Sequence, residues 1–564
     1  MTQSPSSSSF ANNPVGCTQP ALIGLNDFSE ERPNLAQAFV KKALSNLDKP
    51  AVSDDSGTLT YGQLLSRVVA LSLVLQSRLK ANDRVGILLP PSVLAVTANL
   101  AVTLIGKVAV NINYGNANDI VNYTIANASI EQVVSSSSFL EQVKLELSAE
   151  LLDVRQLSSL EDATVQQRVQ SLLTNPVISR FEHEFAGLSA DLSDIAAVLY
   201  TSGSTGKPKG VELSHRNILS NVQAISQQYP PRLLPSGEVE DETILGALTF
   251  AHSLGYTGTL WAAVLLSFKA VYVTNPLDGR SVCRAVEEHK VTIFITAPTL
   301  MRLYLIRANK EQFASVQVLL LGSEKLKPEL RRDIEAKLGL NACEAYGVTE
   351  LGPIISLSVP RYLTGSDGKA VWGNREGSVG LPVAGTEIAI VDTASGALVE
   401  ASGAEHQGEI WVKGAQVMSG YLGNPEATAK VLVSGWYRTG DIGYVDQDGF
   451  IFITDRLARF AKISGEMVPM AYVESLIRGL TGQDELSVHV TCVPDASRGE
   501  RLVVLFANLG SLDVAAVLAG LAEQLPALWL PKAGDFISTV LPIGSTGKVD
   551  MQRLKAMAIE HASH

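Results

Sequence analysis

The chain has 564 residues, 46% hydrophobic and 18% charged, with 45 glycines. Such a length exceeds one ordinary core and predicts about two to four domains. A net charge of -12 offers no counterion-releasing basic surface and argues against a general nucleic-acid binder. Cys17, Cys283, Cys343 and Cys492 are scattered and form no CxxC pair, which disfavours a disulfide framework or a structural zinc site.

The opening segment MTQSPSSSSFANNP is polar and Ser-rich and lacks the basic-then-apolar order of a secretory signal, so residues 1–30 read as a disordered tail. Short β-branched runs follow: RVGILL, KVAVNINY, QVVSSS, AAVLYTS, KAVYVT, VTIFITAP and VQVLLLGS. Helix-length segments such as VLAVTANLAVTLIG and RSVCRAVEEHK lie between them. This alternation predicts an α/β fold with largely parallel sheets. Around 377–455 the pattern becomes Gly-punctuated alternating strands, with DQDG as a hairpin turn, which predicts a β-rich subdomain. Beyond Arg456, YVESLIRGL, LSVHVTCV and ERLVVLFANL read as a small α+β module of roughly a hundred residues. The expected organisation is a tail over 1–30, a large domain over 31–457 and a small mobile domain over 458–564. The stretch LWAAVLLSFKAVYV is too short for a bilayer span and contains Lys269. A soluble cytoplasmic protein without a transmembrane segment is expected, with peripheral membrane association left open.

The pentapeptide GSTGK occurs twice, at Gly203–Lys207 and at Gly544–Lys548. The first copy sits in TSGSTGKPKG, after the apolar run IAAVLY. Its glycines and small residues let backbone N–H groups approach an anion closely, and Lys207 and Lys209 add charge. It is not a Walker A loop. Thr201 stands where that motif needs Gly, and Pro208 follows Lys207 in place of Ser or Thr.

The ten-residue run resembles the phosphate loop of the adenylate-forming superfamily, which includes acyl-CoA synthetases, non-ribosomal peptide adenylation domains and firefly luciferase. Other motifs of that superfamily appear in order: LTYGQL at Leu59–Leu64, LLLGSEKL, AYGVTE at Ala345–Glu350, YRTGD at Tyr437–Asp441, TDRLARFAKISGE, and the second GSTGK. The resemblance implies ATP and Mg²⁺ as cofactors. It implies that Thr201, Ser202, Gly203, Ser204, Thr205, Gly206 and Lys207 cradle phosphate. It places Gly322, Ser323 and Glu324 beside adenine, and Tyr346, Gly347 and Thr349 at the adenine and phosphates. Glu350 would hold Mg²⁺, a hard ion that takes few protein oxygens. Asp441 would accept from the ribose hydroxyls, and Arg456 would help hold the nucleotide. Lys548 would be the catalytic lysine, meeting the carboxylate and the α-phosphate as negative charge builds. Lys462 matches a lysine of the second step, and His252 in TFAHSLG a histidine near the acyl carbonyl. Gly465 would let a thiol arm pass close to backbone. Ala458 departs from the family's usual Asp or Lys at the hinge position.

The implied reaction has two steps: a carboxylate attacks the α-phosphorus of Mg-ATP, then a thiol displaces AMP from the acyl-adenylate, with a swing of the small domain between them. The apolar surroundings of ALTFAHSLGYTGTLWAA, TAPTLMRLYL and AYGVTELGPIISL suit a fatty acyl chain. The run around GEMVP resembles the synthetase domain of bacterial acyl–acyl carrier protein synthetases, without the acyltransferase portion fused to some of them. The first expectation is therefore transfer of a fatty acid to holo-acyl carrier protein. The alternative is a fatty acyl-CoA ligase using CoA, and a distant one a luciferase-like monooxygenase. A basic docking patch would favour the carrier protein, with Arg478, Arg498, Arg501 and Lys532 as candidates.

Overall fold

The computed structural model describes residues 33–154, 163–174, 176–201, 207–229, 241–364, 370–464, 466–482, 488–495, 497–507, 513–542 and 551–562. They group into two compact units. The larger holds the described residues up to 201, 208–439 and 444–452; the smaller holds Lys207, residues 440–443 and those from 453 onward.

Two α/β sheets dominate the larger unit. One has seven strands in the order Gly420–Tyr421, Lys209–Ser214, Ile195–Thr201, Val108–Asn111, Arg84–Ile87, Gln132–Ser135, Glu150–Asp153. Five of these, from Ile195–Thr201 to Glu150–Asp153, pair in parallel. The second sheet has nine strands, with a parallel centre built from Ala342–Gly347, Val318–Leu321, Ile293–Thr296, Thr243–Gly246 and Lys269–Tyr272. The β-branched runs form these strands because both faces are buried, and Val318–Leu321 and Ile293–Thr296 are buried at every residue. Leu245, Val271, Phe294 and Leu319 from neighbouring strands share a core with Val282 and Val286 of the helix Gly279–Glu288.

Helix Val93–Leu104 is apolar nearly all round and correspondingly almost wholly buried, which explains how a non-amphipathic stretch is helical without spanning a membrane. No helix among the described residues is long and apolar enough to cross a membrane. The DQDG turn closes the hairpin between Trp436–Val445 and Ile451–Arg456. Asp446 Oδ1 accepts from the N–H groups of Asp448 and Phe450, and Gly449 takes φ 93°.

The smaller unit has a sheet of Phe460–Ile463, Glu466–Pro469, Val488–Asp495, Gly499–Phe506 and Phe536–Ser538. Its core joins Val490 and Val504 to Val473 and Ile477 of the helix Met470–Thr481 and Leu521 of Val514–Ala522. The α+β pattern read from the sequence is the pattern formed.

Candidate active site

The strand Ala342–Gly347 delivers the AYGVTE segment to the C-terminal edge of the nine-stranded sheet, where open α/β sheets bind ligands. Gly347 is required there. A Cβ at that position would lie 2.0 Å from the Pro353 carbonyl oxygen, and Val348 N–H donates to the same oxygen at 3.0 Å. A turn over Thr349–Leu351 follows, closed by Gly352 at φ +65°. Helix His215–Gln228 clamps this turn. Asn221 Nδ2 donates to Leu351 O at 2.8 Å, and its Oδ1 accepts from Ile354 N–H at 2.8 Å. Asn217, whose side chain forms the capping box with Ser214, donates through Nδ2 to Ala415 O and Val417 O, each at 2.8 Å.

The clamp holds Glu350 at 8% exposure, its carbonyl accepting from Met418 N–H. Tyr421 Oη donates to Glu350 Oε1 at 2.7 Å. Burial first, and the adjacent carboxylate second, push the Tyr421 and Tyr437 phenols far above the usual tyrosine range, so both are protonated donors. Lys209 Nζ lies 4.8 Å above the Tyr421 ring. Sequence reasoning gave Tyr421 no role. It is 71 residues from Glu350 and belongs to none of the quoted motifs.

The His252 segment meets this turn. Ser253 Oγ lies 3.5 Å from Thr349 Oγ1, and Thr257 Oγ1 donates to Gly352 O at 2.7 Å. His252 is exposed at the start of the π-helical run Leu254–Trp261, with its carbonyl accepting from Tyr256 N–H. Gly322 follows the strand Val318–Leu321 and lies close to Leu254: a Cβ there would sit 3.0 Å from Leu254 Cδ2. Ser323 takes φ 70°, and Glu324 Oε2 accepts from Thr299 Oγ1 at 2.6 Å. Tyr346 is buried at 9% exposure. The larger unit therefore brings together His252, Gly322, Ser323, Glu324, Tyr346, Gly347, Thr349 and Glu350.

An apolar cavity opens beside them, lined by Ile225, Leu254, Ile295, Leu320, Ile354 and Val359 among others. Leu254 and Ile354 tie it to the His252 helix and to the segment after Glu350.

Thr201 ends the strand Ile195–Thr201 and pairs with Lys209 of the next, antiparallel strand. The segment 202–208 thus joins two strands and not a strand to a helix, the structural counterpart of the missing Walker A signature. Lys207 is exposed, while Ser202, Gly203, Ser204, Thr205 and Gly206 lie outside the described residues.

In the smaller unit Asp441 is 2% exposed, and Arg456 Nε lies 2.9 Å from its Oδ1. Lys462 lies on the strand Phe460–Ile463. The side chains of Lys462 and Ala458, together with Gly465 and Lys548, lie outside the described residues. Two of the basic docking candidates have acidic partners. Arg478 bonds Glu474, and Arg501 Nε lies 3.0 Å from Asp535 Oδ1. Arg498 and Lys532 take part through backbone bonds to Ser464 and Asp535.

Glu350 offers one buried, hard carboxylate, and among the described residues no group of three or more His, Cys, Asp or Glu could hold a metal. That donor set fits Mg²⁺ carried in largely by substrate phosphates and fits no all-protein transition-metal cage.

The AMP-binding enzyme family model matches residues 39–422. The chain is 28% identical to a long-chain-fatty-acid–CoA ligase of Bacillus subtilis (strain 168), over 94% of this chain and 96% of that protein. It is 28% identical to a feruloyl-CoA synthase of Amycolatopsis, over 90% of this chain and 96% of that protein. Among solved structures, ATP-bound MatB from Rhodopseudomonas palustris superposes with a TM-score of 0.71 at 26% identity, covering 93% of this chain and 99% of that one. The complex of Bacillus subtilis o-succinylbenzoate CoA synthetase (MenE) with its acyl-adenylate shares the fold at a TM-score of 0.71, 24% identity and 93% and 98% coverage.

Proposed function

The chain belongs to the AMP-binding enzyme family, and from that premise we propose that it is an AMP-forming acyl-CoA ligase, with a fatty or similarly apolar carboxylic acid as substrate. The observation that carries this reading is the buried, tyrosine-bonded Glu350 on a glycine-built turn beside an apolar cavity. A polar activation centre thus adjoins a pocket for an apolar acid. The relatives are a long-chain-fatty-acid–CoA ligase and a feruloyl-CoA synthase, which favours CoA over a carrier protein as acceptor. The ion pairs of Arg478 and Arg501 favour it too, since they leave less uncompensated basic charge for an acidic carrier.

In the first step the acid lies in the cavity with its carboxylate toward His252 and Thr349, in line with the α-phosphorus of ATP. The ribose hydroxyls donate to Asp441, which Arg456 orients. The run from Ser202 to Lys207 is assigned to the phosphates. Lys548 compensates the charge that builds on the α-phosphate as pyrophosphate leaves. Mg²⁺, when bound at Glu350, supplies charge neutralisation on the phosphate oxygens. Tyr421 holds Glu350 in place for that role through its bond to Oε1. In the second step the thiolate of CoA attacks the acyl carbonyl and AMP departs, the step to which Lys462 and Gly465 are assigned.

Acid-dependent exchange of pyrophosphate into ATP, before any thiol is added, tests the first step. We expect Lys548→Ala to lose this exchange while still transferring acyl groups from supplied acyl-adenylate to CoA. Normal exchange by the variant would remove Lys548 from the mechanism.

A further inference from the structure

The cavity has two chemically different ends. One, at Leu254 and Ile354, adjoins Thr349 and the C-terminal edge of the sheet. The other is marked by Tyr229, which caps the C-terminus of helix His215–Gln228 and lines the cavity. Its hydroxyl lies 3.3 Å from Glu242 Oε1, and Glu242 immediately precedes the strand Thr243–Gly246. That strand runs in parallel beside Ile293–Thr296, so this end lies at the opposite, N-terminal edge of the sheet. A substrate whose carboxylate reacts at the Thr349 end directs its tail toward Tyr229.

One polar group without a partner lines that route and a second packs against Tyr229 at its end. Ser358 lines the cavity at 0% exposure, and its Oγ has no hydrogen-bond partner. Three residues on, the Arg361 guanidinium stacks over the Tyr229 ring at 5.3 Å. Its Nε and Nη2 are buried and equally unpartnered. The arginine is not loosely placed. Its N–H donates to Val359 O at 2.9 Å, and its carbonyl accepts from Gly373 N–H at 2.7 Å. A Cβ on Gly373 would come within 2.9 Å of that carbonyl, of Leu363 and of Val359, so the backbone carrying Arg361 is closely packed.

Buried donors without acceptors are costly, and a guanidinium has donors only. A plain alkyl tail passing Tyr229 leaves them unpaired. A tail bearing an oxygen satisfies them. We propose that Arg361 and Ser358 form a tail-recognition site, and that the preferred substrate is a carboxylic acid with a second oxygen function at its distal end: a hydroxyl, carbonyl or carboxylate. This deepens the ligase reading and rests on it. A site built to hydrogen-bond a substrate oxygen discriminates strongly against the analogue lacking it.

The test compares acids matched in length and differing only at the tail. One series is alkanoic, ω-hydroxyalkanoic and α,ω-dicarboxylic acids over a ladder of lengths. A second pair is cinnamic and para-hydroxycinnamic acid, which separates an aryl source of the oxygen from an alkyl one. The readout is acid-dependent AMP release with CoA. We expect an oxygenated acid to exceed its plain counterpart at least tenfold in kcat/KM in one of these series. Arg361→Met should bring that ratio to within about threefold, chiefly through KM, and Ser358→Ala should lower it by a smaller factor. A wild-type enzyme that prefers the plain acid at every length overturns the tail site, and this result needs no variant to fold. A ratio unchanged by a folded Arg361→Met also overturns it and makes Arg361 a brace for Tyr229. If no acid of any series releases AMP, the ligase reading fails and the tail site fails with it, a result distinct from a simple loss of preference.

Discussion

Tyr421 supplies a hydrogen bond to the Glu350 carboxylate in a nearly dry setting, where charge-assisted bonds are strong. Tyr421→Phe should therefore reduce kcat for adenylation by roughly tenfold or more, on the order of 1.5–3 kcal/mol for such a bond, and raise the Mg²⁺ concentration needed for half-maximal rate. An unchanged Mg²⁺ dependence would show that the bond does not position the carboxylate. A second residue-scale consequence concerns pH. His215 is 5% exposed, and burial pulls its imidazole down to about 4, the Asp194 carboxylate offsetting part of the effect. Its Nδ1 accepts from Leu35 N–H at 3.3 Å, so the native ring is neutral. The unfolded chain takes up this proton as pH falls through the ordinary histidine value of 6.5, whereas the native protein resists until about 4. The unfolded state thus binds more protons in that window, and stability falls as pH drops through it, by up to roughly 3 kcal/mol. His215→Gln should remove this part of the slope from denaturation curves measured between those limits. Parallel curves for the two proteins would contradict the assignment. The candidate residues legible from sequence were those grouped in a short run: Thr349 and Glu350, proposed for phosphate and metal, and Asp441 within YRTGD, proposed for ribose. Tyr421 was not legible because its partner is distant in the chain. Ser358 and Arg361 were not legible because their signal is a missing partner, which only three-dimensional packing reveals.

At the scale of elements, the turn after Ala342–Gly347 depends on close backbone approach. Gly347→Ala places a methyl 2.0 Å from the Pro353 carbonyl, and that contact is backbone on both sides, so one strand must shift against the other. Expected are a loss of about 2 kcal/mol or more in stability, in the range of strain at a tightly packed position, and a larger proportional loss of adenylation, because Glu350 rides on the displaced segment. Retained stability and activity would mean the turn has slack that the packing does not show. The strands themselves were readable from β-branched runs, since strands buried on both faces need continuous apolar sequence. The helix Val93–Leu104 was readable by length, although its apolar residues follow no single face. The clamp from Asn217 and Asn221 was not readable, because Asn at a helix N-terminus and one turn later is ordinary composition until its acceptors on Leu351, Ala415 and Val417 are seen.

For the whole molecule, a large unit carries the apolar cavity and the Glu350 turn, and a small unit carries Asp441, Arg456 and the segment leading to Lys548. The family was visible in the order of the motifs along the chain. The identity of the acceptor was not, because a thiol on CoA and a thiol on a carrier protein ask the same of the reacting residues and differ only in the surface around them. The most direct measurement is a competition: enzyme, Mg-ATP and a ladder of carboxylic acids with equal concentrations of CoA and holo-acyl carrier protein, with nucleotide and thioester products read by mass spectrometry. The account predicts acyl-CoA as the main thioester, formed one for one with AMP. Acylated carrier protein as the main product, or ADP in place of AMP, would contradict it.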